Sequence, residues 1–220
     1  MRKKLKRFNE NLNRDNIIQP GKPLYDDIKG NWRSKYFKNN NPITIELGCG
    51  DGEYSVGLAA NNPERNYIGI DIKGDRLYQG STQAIDQNLN NVAFLRTQIL
   101  LIGDLFEDDE VDEIWLTFPD PRPKDRDEKR RLTFPRFLNL YKKISKPDSW
   151  FKFKTDSTSL FDYTLEVLHD QFEVKSLEFT HDLYNSPLLA EHRGIQTKYE
   201  KIWSAKGERI KYLKFQFNNE

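Results

Sequence analysis

The segment Phe118-Pro119-Asp120-Pro121-Arg122-Pro123-Lys124 sets one carboxylate among three prolines, and Asp125-Arg126-Asp127-Glu128-Lys129-Arg130-Arg131 follows directly. Six basic side chains therefore stand within the ten positions 122–131. Proline holds φ near one value, so Asp120 and Lys124 are aimed rather than left mobile. A lone carboxylate with a polycationic rim suits the modification of a polyanion. The cations neutralise phosphates, and the carboxylate stabilises positive charge that develops on the reacting group.

A second constellation lies upstream, in Glu46-Leu47-Gly48-Cys49-Gly50-Asp51-Gly52-Glu53. Glycines at this spacing permit a sharp strand-to-helix turn and bring backbone against a ligand. In a dinucleotide-binding loop the third glycine would stand where Glu53 is, and here it comes one residue early, at Gly52. An acid at a helix N-terminus also competes with a pyrophosphate for that positive end. The loop thus favours a ligand without phosphates. Asp71, 25 positions after Glu46, closes the next apolar run. Its carboxylate is placed to grip both ribose hydroxyls of a nucleoside. Glu46 is placed to anchor a cationic amino-acid group above Gly48 and Gly50, directly or through water. Acid, glycine loop and second acid describe a site for S-adenosylmethionine. Cys49, squeezed between glycines with no histidine near it in sequence, reads as a small spacer rather than a nucleophile.

These residues need strands that end where they stand. Apolar runs at 43–47, 66–72, 91–95, 113–118 and 149–154 read as strands. Helix-length segments at 53–61, 74–89, about 98–106, 133–145 and 156–169 alternate with them, the last with Asp156 or Ser157 as its N-cap. Alternation with short links predicts a mainly parallel sheet with helices on both faces. Residues 172–179 and 210–217 add a closing antiparallel pair, for seven strands in all. Residues 1–41 form a polar arm, with one helix around Tyr25 to Phe37, and residues 42–220 form the α/β domain.

Composition limits the partners. Lys and Arg number 35 against 34 Asp and Glu, a net charge of +1, so nucleic-acid binding must come from local patches. Two exist: Arg2-Lys3-Lys4-Leu5-Lys6-Arg7, and the 122–131 loop. One cysteine excludes an intrachain disulfide and fits a reducing cytoplasm. No stretch reaches the length of a membrane helix, and the basic N-terminus lacks a signal peptide's apolar core. His169, His181 and His192 show no metal-ligand spacing, and no obligate protein partner is indicated.

Taken in order, Glu46-Leu47-Gly48-Cys49-Gly50, Phe118-Pro119-Asp120-Pro121-x-Pro123-Lys124, Lys129-Arg130-Arg131-Leu132-Thr133, Phe153-Lys154-Thr155-Asp156 and Ile195-Gln196-Thr197-Lys198-Tyr199-Glu200 resemble the bacterial tRNA (guanine-N7-)-methyltransferases. The likeness runs from about residue 43 to 217. It implies a Rossmann-like class I methyltransferase fold, S-adenosylmethionine as methyl donor and a variable-loop guanosine of tRNA as acceptor. By position it implies that Glu46, Gly48, Gly50, Asp71, Gln98 and Asp120 contact the cofactor, with Asp120 also catalytic. It further implies that Lys124, Asp156, Thr197, Lys198, Tyr199 and Glu200 engage the tRNA or its guanosine; the charge of Arg126, Lys129, Arg130 and Arg131 suits contacts with phosphates. This chain departs from the family pattern in having Arg122 where Trp is usual, Asp127 where His is usual, and Gln98 where Asp or Asn is common. Two other readings keep parts of the pattern: a methyltransferase of the same fold acting on a small molecule or protein, and a non-catalytic RNA-binding relative. A nicotinamide dehydrogenase is disfavoured by the glycine spacing.

Overall fold

A computed structural model describes residues 3–218. The chain opens with α1 (Lys3–Glu10), β1 (Ile17–Ile18) and α2 (Pro23–Asp26). There follow β2 (Ile43–Leu47), α3 (Glu53–Asn61), β3 (Asn66–Asp71), α4 (Gly74–Asp86), β4 (Val92–Arg96), β5 (Val111–Thr117) and α5 (Pro135–Ile144). The last elements are β6 (Ser145–Thr155), α6 (Thr158–Gln171), β7 (Val174–Thr180), α7 (Lys198–Ala205) and β8 (Lys211–Phe217). The strands form one sheet in the order β1-β4-β3-β2-β5-β6-β8-β7. All neighbours run parallel except β8, which is antiparallel to both β6 and β7.

The sheet has eight strands, not the expected seven. The extra strand comes from the N-terminal arm, where Ile17 and Ile18 pair with Phe94 and Leu95 of β4 and are fully buried. Two residues carry no periodicity, so nothing in the local pattern marks them as a strand. The expected helix over Tyr25–Phe37 is also absent. Gly30, at φ +69°, breaks it into α2 and a π-helical turn at Trp32–Phe37. The spacing of Ile28 and Trp32 reflects burial rather than helix. Both are fully buried, and Trp32 stacks on Phe106 at 5.3 Å while its Nε1 donates to the Leu105 carbonyl. The N-terminal basic run lies partly outside the described residues; within them, Arg7 and Arg14 stack over Tyr78 of α4.

All five residues of β2 are buried, as a central parallel strand requires. Ile43, Ile45 and Leu47 enter one apolar layer with Phe151 and Phe153; Tyr54, Trp115 and Tyr212 build the other. The period of two puts Glu46 on the second face, among buried side chains. The strand order reverses direction at β2, between β3 and β5. Ligands of open α/β sheets bind in the crevice outside the carboxyl ends of such strands. Both constellations read from sequence, the glycine loop after β2 and the proline loop after β5, stand there.

The glycine loop is held in one shape by packing. Gly52 sits at φ +76°, and a Cβ there would lie 2.6 Å from Phe94 Cε1 and 2.9 Å from Gly80 Cα. Gly52→Ala is therefore expected to destabilise the fold by roughly 3 kcal/mol, backbone strain adding to overpacking. Urea denaturation checks this, and a loss below about 1 kcal/mol would mean that the loop yields easily.

Candidate active site

The crevice is a cleft of about 730 Å³, of a size that encloses a nucleoside-like ligand. One wall is the glycine loop, with Glu46, Gly48, Cys49, Gly50, Asp51 and Glu53. The second is the proline loop from Thr117 to Pro121. The third joins Asp156 to Thr158 at the start of α6, and Thr197, Lys198, Tyr199 and Trp203 at the start of α7. Four segments distant in sequence thus converge on one cleft.

Glu46 is the most constrained group. Its carboxylate accepts hydrogen bonds from the Ser55 backbone N–H and hydroxyl, and from the Thr117 hydroxyl at 2.6 Å. Burial raises its pKa to about 7, against the opposing pull of those donors and of Lys154. Gly48 and Gly50 adopt φ +70° and +57°, which glycine takes without strain, and both line the cleft. Asp71 accepts from the Gly50 N–H at 3.1 Å and the Lys73 N–H at 2.8 Å, so it ties the end of β3 to the loop. Each of its oxygens keeps a lone pair for a further donor. Asp71 does not itself line the cleft, and neither does Gln98, which is exposed just beyond β4. Cys49 is buried, and its thiol pKa is pushed up by burial and by the carboxylates of Glu46, Asp71 and Asp51. Both effects disfavour the thiolate that a nucleophile requires.

Asp120 is exposed, and among the described residues it pairs with its neighbour Arg122, whose Nε lies 3.1 Å from Oδ2. Phe118 and Arg122 both take φ +47°, so the loop is folded back on itself. Lys124, Arg126, Lys129 and Arg130 are exposed, as phosphate contacts need to be. Arg131 is not. Its guanidinium lies 4.3 Å over the Tyr163 ring and its Nε donates to the Arg122 carbonyl, so it braces the loop instead of offering a free cation.

The α7 segment divides in the same way. Tyr199 is 54% exposed and Lys198 is exposed on the cleft rim, while the Lys198 backbone N–H donates to Glu53 at 2.7 Å. Thr197 caps α7 by accepting from the Glu200 N–H. Glu200 departs from the expectation of a substrate contact: it is fully buried, does not line the cleft, and both carboxylate oxygens are taken. Lys154 donates to one at 2.8 Å, and Tyr184 and His192 bond the other. Buried behind these partners, the carboxylate presents no oxygen to a base in the cleft. Thr-x-x-Glu is also a helix-start pattern, and that reading accounts for this glutamate's place. Trp203, Lys73 and Arg76 line the cleft although no sequence motif singles them out. For Trp203 a signal is present, since it lies one helical turn beyond Tyr199.

The residues fit S-adenosylmethionine. Glycine backbone borders the cleft at Gly48 and Gly50, the carboxylates of Glu46 and Asp120 line it, and Asp71 at the end of β3 holds the Gly50 N–H. Among the described residues no three His, Cys, Asp or Glu side chains gather as a metal-binding group, and no helix is long and apolar enough to cross a membrane.

A mainly parallel sheet with this strand order and an antiparallel C-terminal strand, a glycine loop after the central strand and an acid after the next define a class I methyltransferase. Solved structures agree on the fold: an antibiotic-related methyltransferase superposes with TM-score 0.61 at 21% identity, over 83% of this chain and 90% of its own. The 16S rRNA methyltransferase KamB gives 0.62 at 16% identity, over 86% and 92%. The family described as putative methyltransferase matches residues 40–213. The tRNA (guanine-N(7)-)-methyltransferase of Cytophaga hutchinsonii is 52% identical over 98% of both chains, and that of Christiangramia forsetii 46% identical over 96% of both. The chain belongs to the tRNA (guanine-N7-)-methyltransferase family.

Proposed function

We propose that this protein methylates N7 of a guanosine in the variable loop of tRNA, with S-adenosylmethionine as donor, in the cytoplasm. The observation that carries the reading is the placing of one exposed carboxylate, Asp120, between the glycine-loop cleft and an exposed cationic surface. When bound, the donor supplies a methyl group on a sulfonium, an electrophile that needs only an aligned lone pair. Glu46, Gly48, Gly50 and Asp71 hold it, and Asp120 completes the contact. Gln98 adds an amide at the end of the neighbouring strand.

Guanine N7 is unprotonated at neutral pH, so the chain need not supply a base to make the nucleophile. Its part is alignment and electrostatics. The purine ring gains positive charge as N7 is alkylated, and Asp120 stabilises it. Asp120 or Asp156 accepts the N1–H and N2–H edge, Thr197 and Lys198 border the base, and Tyr199 offers a ring for stacking. The base must leave its stack to enter, which the open cleft permits.

Transfer of labelled methyl to an unmodified tRNA transcript tests the proposal. Incorporation should yield 7-methylguanosine on digestion, and should vanish when the variable-loop guanosine is changed to adenosine. Incorporation that survives the change would overturn the site. No incorporation despite cofactor binding would turn the reading toward a small-molecule or protein acceptor.

The cationic loop has its own signature. Replacing Lys124, Arg126, Lys129 and Arg130 singly by glutamine should weaken tRNA binding several-fold. Each replacement that leaves a phosphate without its cation should also reduce the slope of log K against log salt by about 1. Arg131→Gln should instead loosen the proline loop and reduce turnover with little change in slope. An unchanged slope in all four exposed variants would remove this loop from the RNA interface.

A further inference from the structure

Lys154 stands near the end of β6, fully buried, and neither binding nor reaction as described above uses it. Its ammonium lies 2.8 Å from Glu200 and over the rings of Tyr54 and Phe118, at 4.7 and 5.5 Å. Its own carbonyl accepts the Phe118 N–H at 2.8 Å. Phe118 opens the loop that carries Asp120, and Glu200 lies in the first turn of α7, which carries Tyr199 and Trp203 into the cleft. One residue thus touches two walls of the site: the proline loop through its backbone and α7 through its side chain.

The pairing is not what stability alone would select. A buried ion pair is often no more stabilising than apolar residues of the same volume. What such a pair does is fix geometry, because neither charge tolerates another position. Burial lowers the lysine pKa and Glu200 opposes this, while the donors His192 and Lys154 outweigh burial and keep Glu200 ionised. A second buried lysine makes the comparison possible. Lys152, two residues earlier on β6, pairs with Glu113 at 3.0 Å and Glu191 at 3.1 Å, but neither partner lines the cleft.

We propose that Lys154 is a positioning residue for methyl transfer: its ion pair with Glu200 sets α7 against the Asp120 loop, so that the aromatic side chains of α7 meet the base in register with the carboxylate. The proposal rests on the functional reading above, but part of its test does not depend on it.

The test uses the double variant Lys154→Met/Glu200→Gln, which removes both charges together and leaves no ion orphaned, beside Lys152→Met/Glu113→Gln as a control. Hydrogen exchange of the α7 amides needs no substrate. It should speed up at least about tenfold in the Lys154 variant and remain unchanged in the control. In methyl transfer kcat should fall about 100-fold, as a displacement near 1 Å costs, with cofactor affinity kept within about threefold. The control should keep the parent kcat. Lys154→Arg, which retains the charge, should recover part of the loss. Parent-like exchange and kcat in the Lys154 variant would overturn the proposal, as would an equal loss of kcat in the control. A parent enzyme inactive on tRNA would count against the function, and the exchange result would still decide the positioning role.

Discussion

Asp120→Ala should lower methyl transfer to tRNA by about 10²–10³-fold, the scale on which loss of one preorganised electrostatic group is felt. Stability should hardly move. The side chain is 63% exposed and its ion pair with Arg122 is of the exposed kind that contributes at most about 1 kcal/mol. Loss of function without loss of fold is the signature of a group kept for chemistry. Asp120→Asn sharpens the test, because the amide keeps the shape but removes the charge. If the carboxylate offsets positive charge on the purine, the asparagine variant should fall nearly as far as alanine in single-turnover rate. If Asp120 served only as a hydrogen-bond acceptor, asparagine would retain most of the activity. Either variant turning over at the parent rate would place the reaction elsewhere. Arg122 gives an internal comparison: Arg122→Met frees Asp120 from its neighbour without removing it, and should leave the chemical step within about threefold of the parent.

What is legible in the sequence and what is hidden divide along a physical line. Strands β2 to β6 and helix α3 are legible because buried parallel strands read as apolar runs and helices as segments between them. Ile43–Leu47 and Glu53–Asn61 lie where expected. The proline loop is legible because its residue types fix backbone shape locally. The strand Ile17–Ile18 is hidden, since its burial comes from β4, some 77 positions away in the chain. The π-helical turn at Trp32 is hidden for a similar reason, because its hydrogen bonds go to Leu105 and Glu110. Glu200 shows the limit most clearly. A glutamate in a motif beside an exposed aromatic looks like a ligand for guanine. Only the fold reveals that Lys154, Tyr184 and His192 already occupy it. Arg131 illustrates the same limit: a charge run does not say which of its members face water.

Glu46→Gln should make the protein more stable at neutral pH while depriving it of its cofactor. Folding raises this carboxyl from 4.5 to about 7, chiefly through burial. The native state therefore holds a proton that the unfolded state has released between those two values, and stability falls as pH rises through that window. A shift of this size corresponds to roughly 3 kcal/mol once the pH exceeds the folded value. Glutamine removes that cost. Its carbonyl can accept from Ser55, and its amide can donate to Thr117, whose hydroxyl turns to accept. The gain should be largest near pH 8 and nearly absent near pH 4.5, where the glutamate is already protonated in the native state. Comparing parent and variant by urea denaturation at both pH values cancels the contributions of Glu191 and Glu200, whose lowered pKa values stabilise the fold above the unfolded value and are lost in acid. Cofactor affinity, measured by titration calorimetry, should drop at least about tenfold, the loss of one charge-assisted hydrogen bond. A variant equally stabilised at both pH values would show that the gain is one of packing and not of charge. A variant that is both more stable and fully able to bind would remove Glu46 from the site. The expected outcome, stability gained and binding lost, would mark Glu46 as a charge held in an unfavourable place because a cationic ligand requires it there.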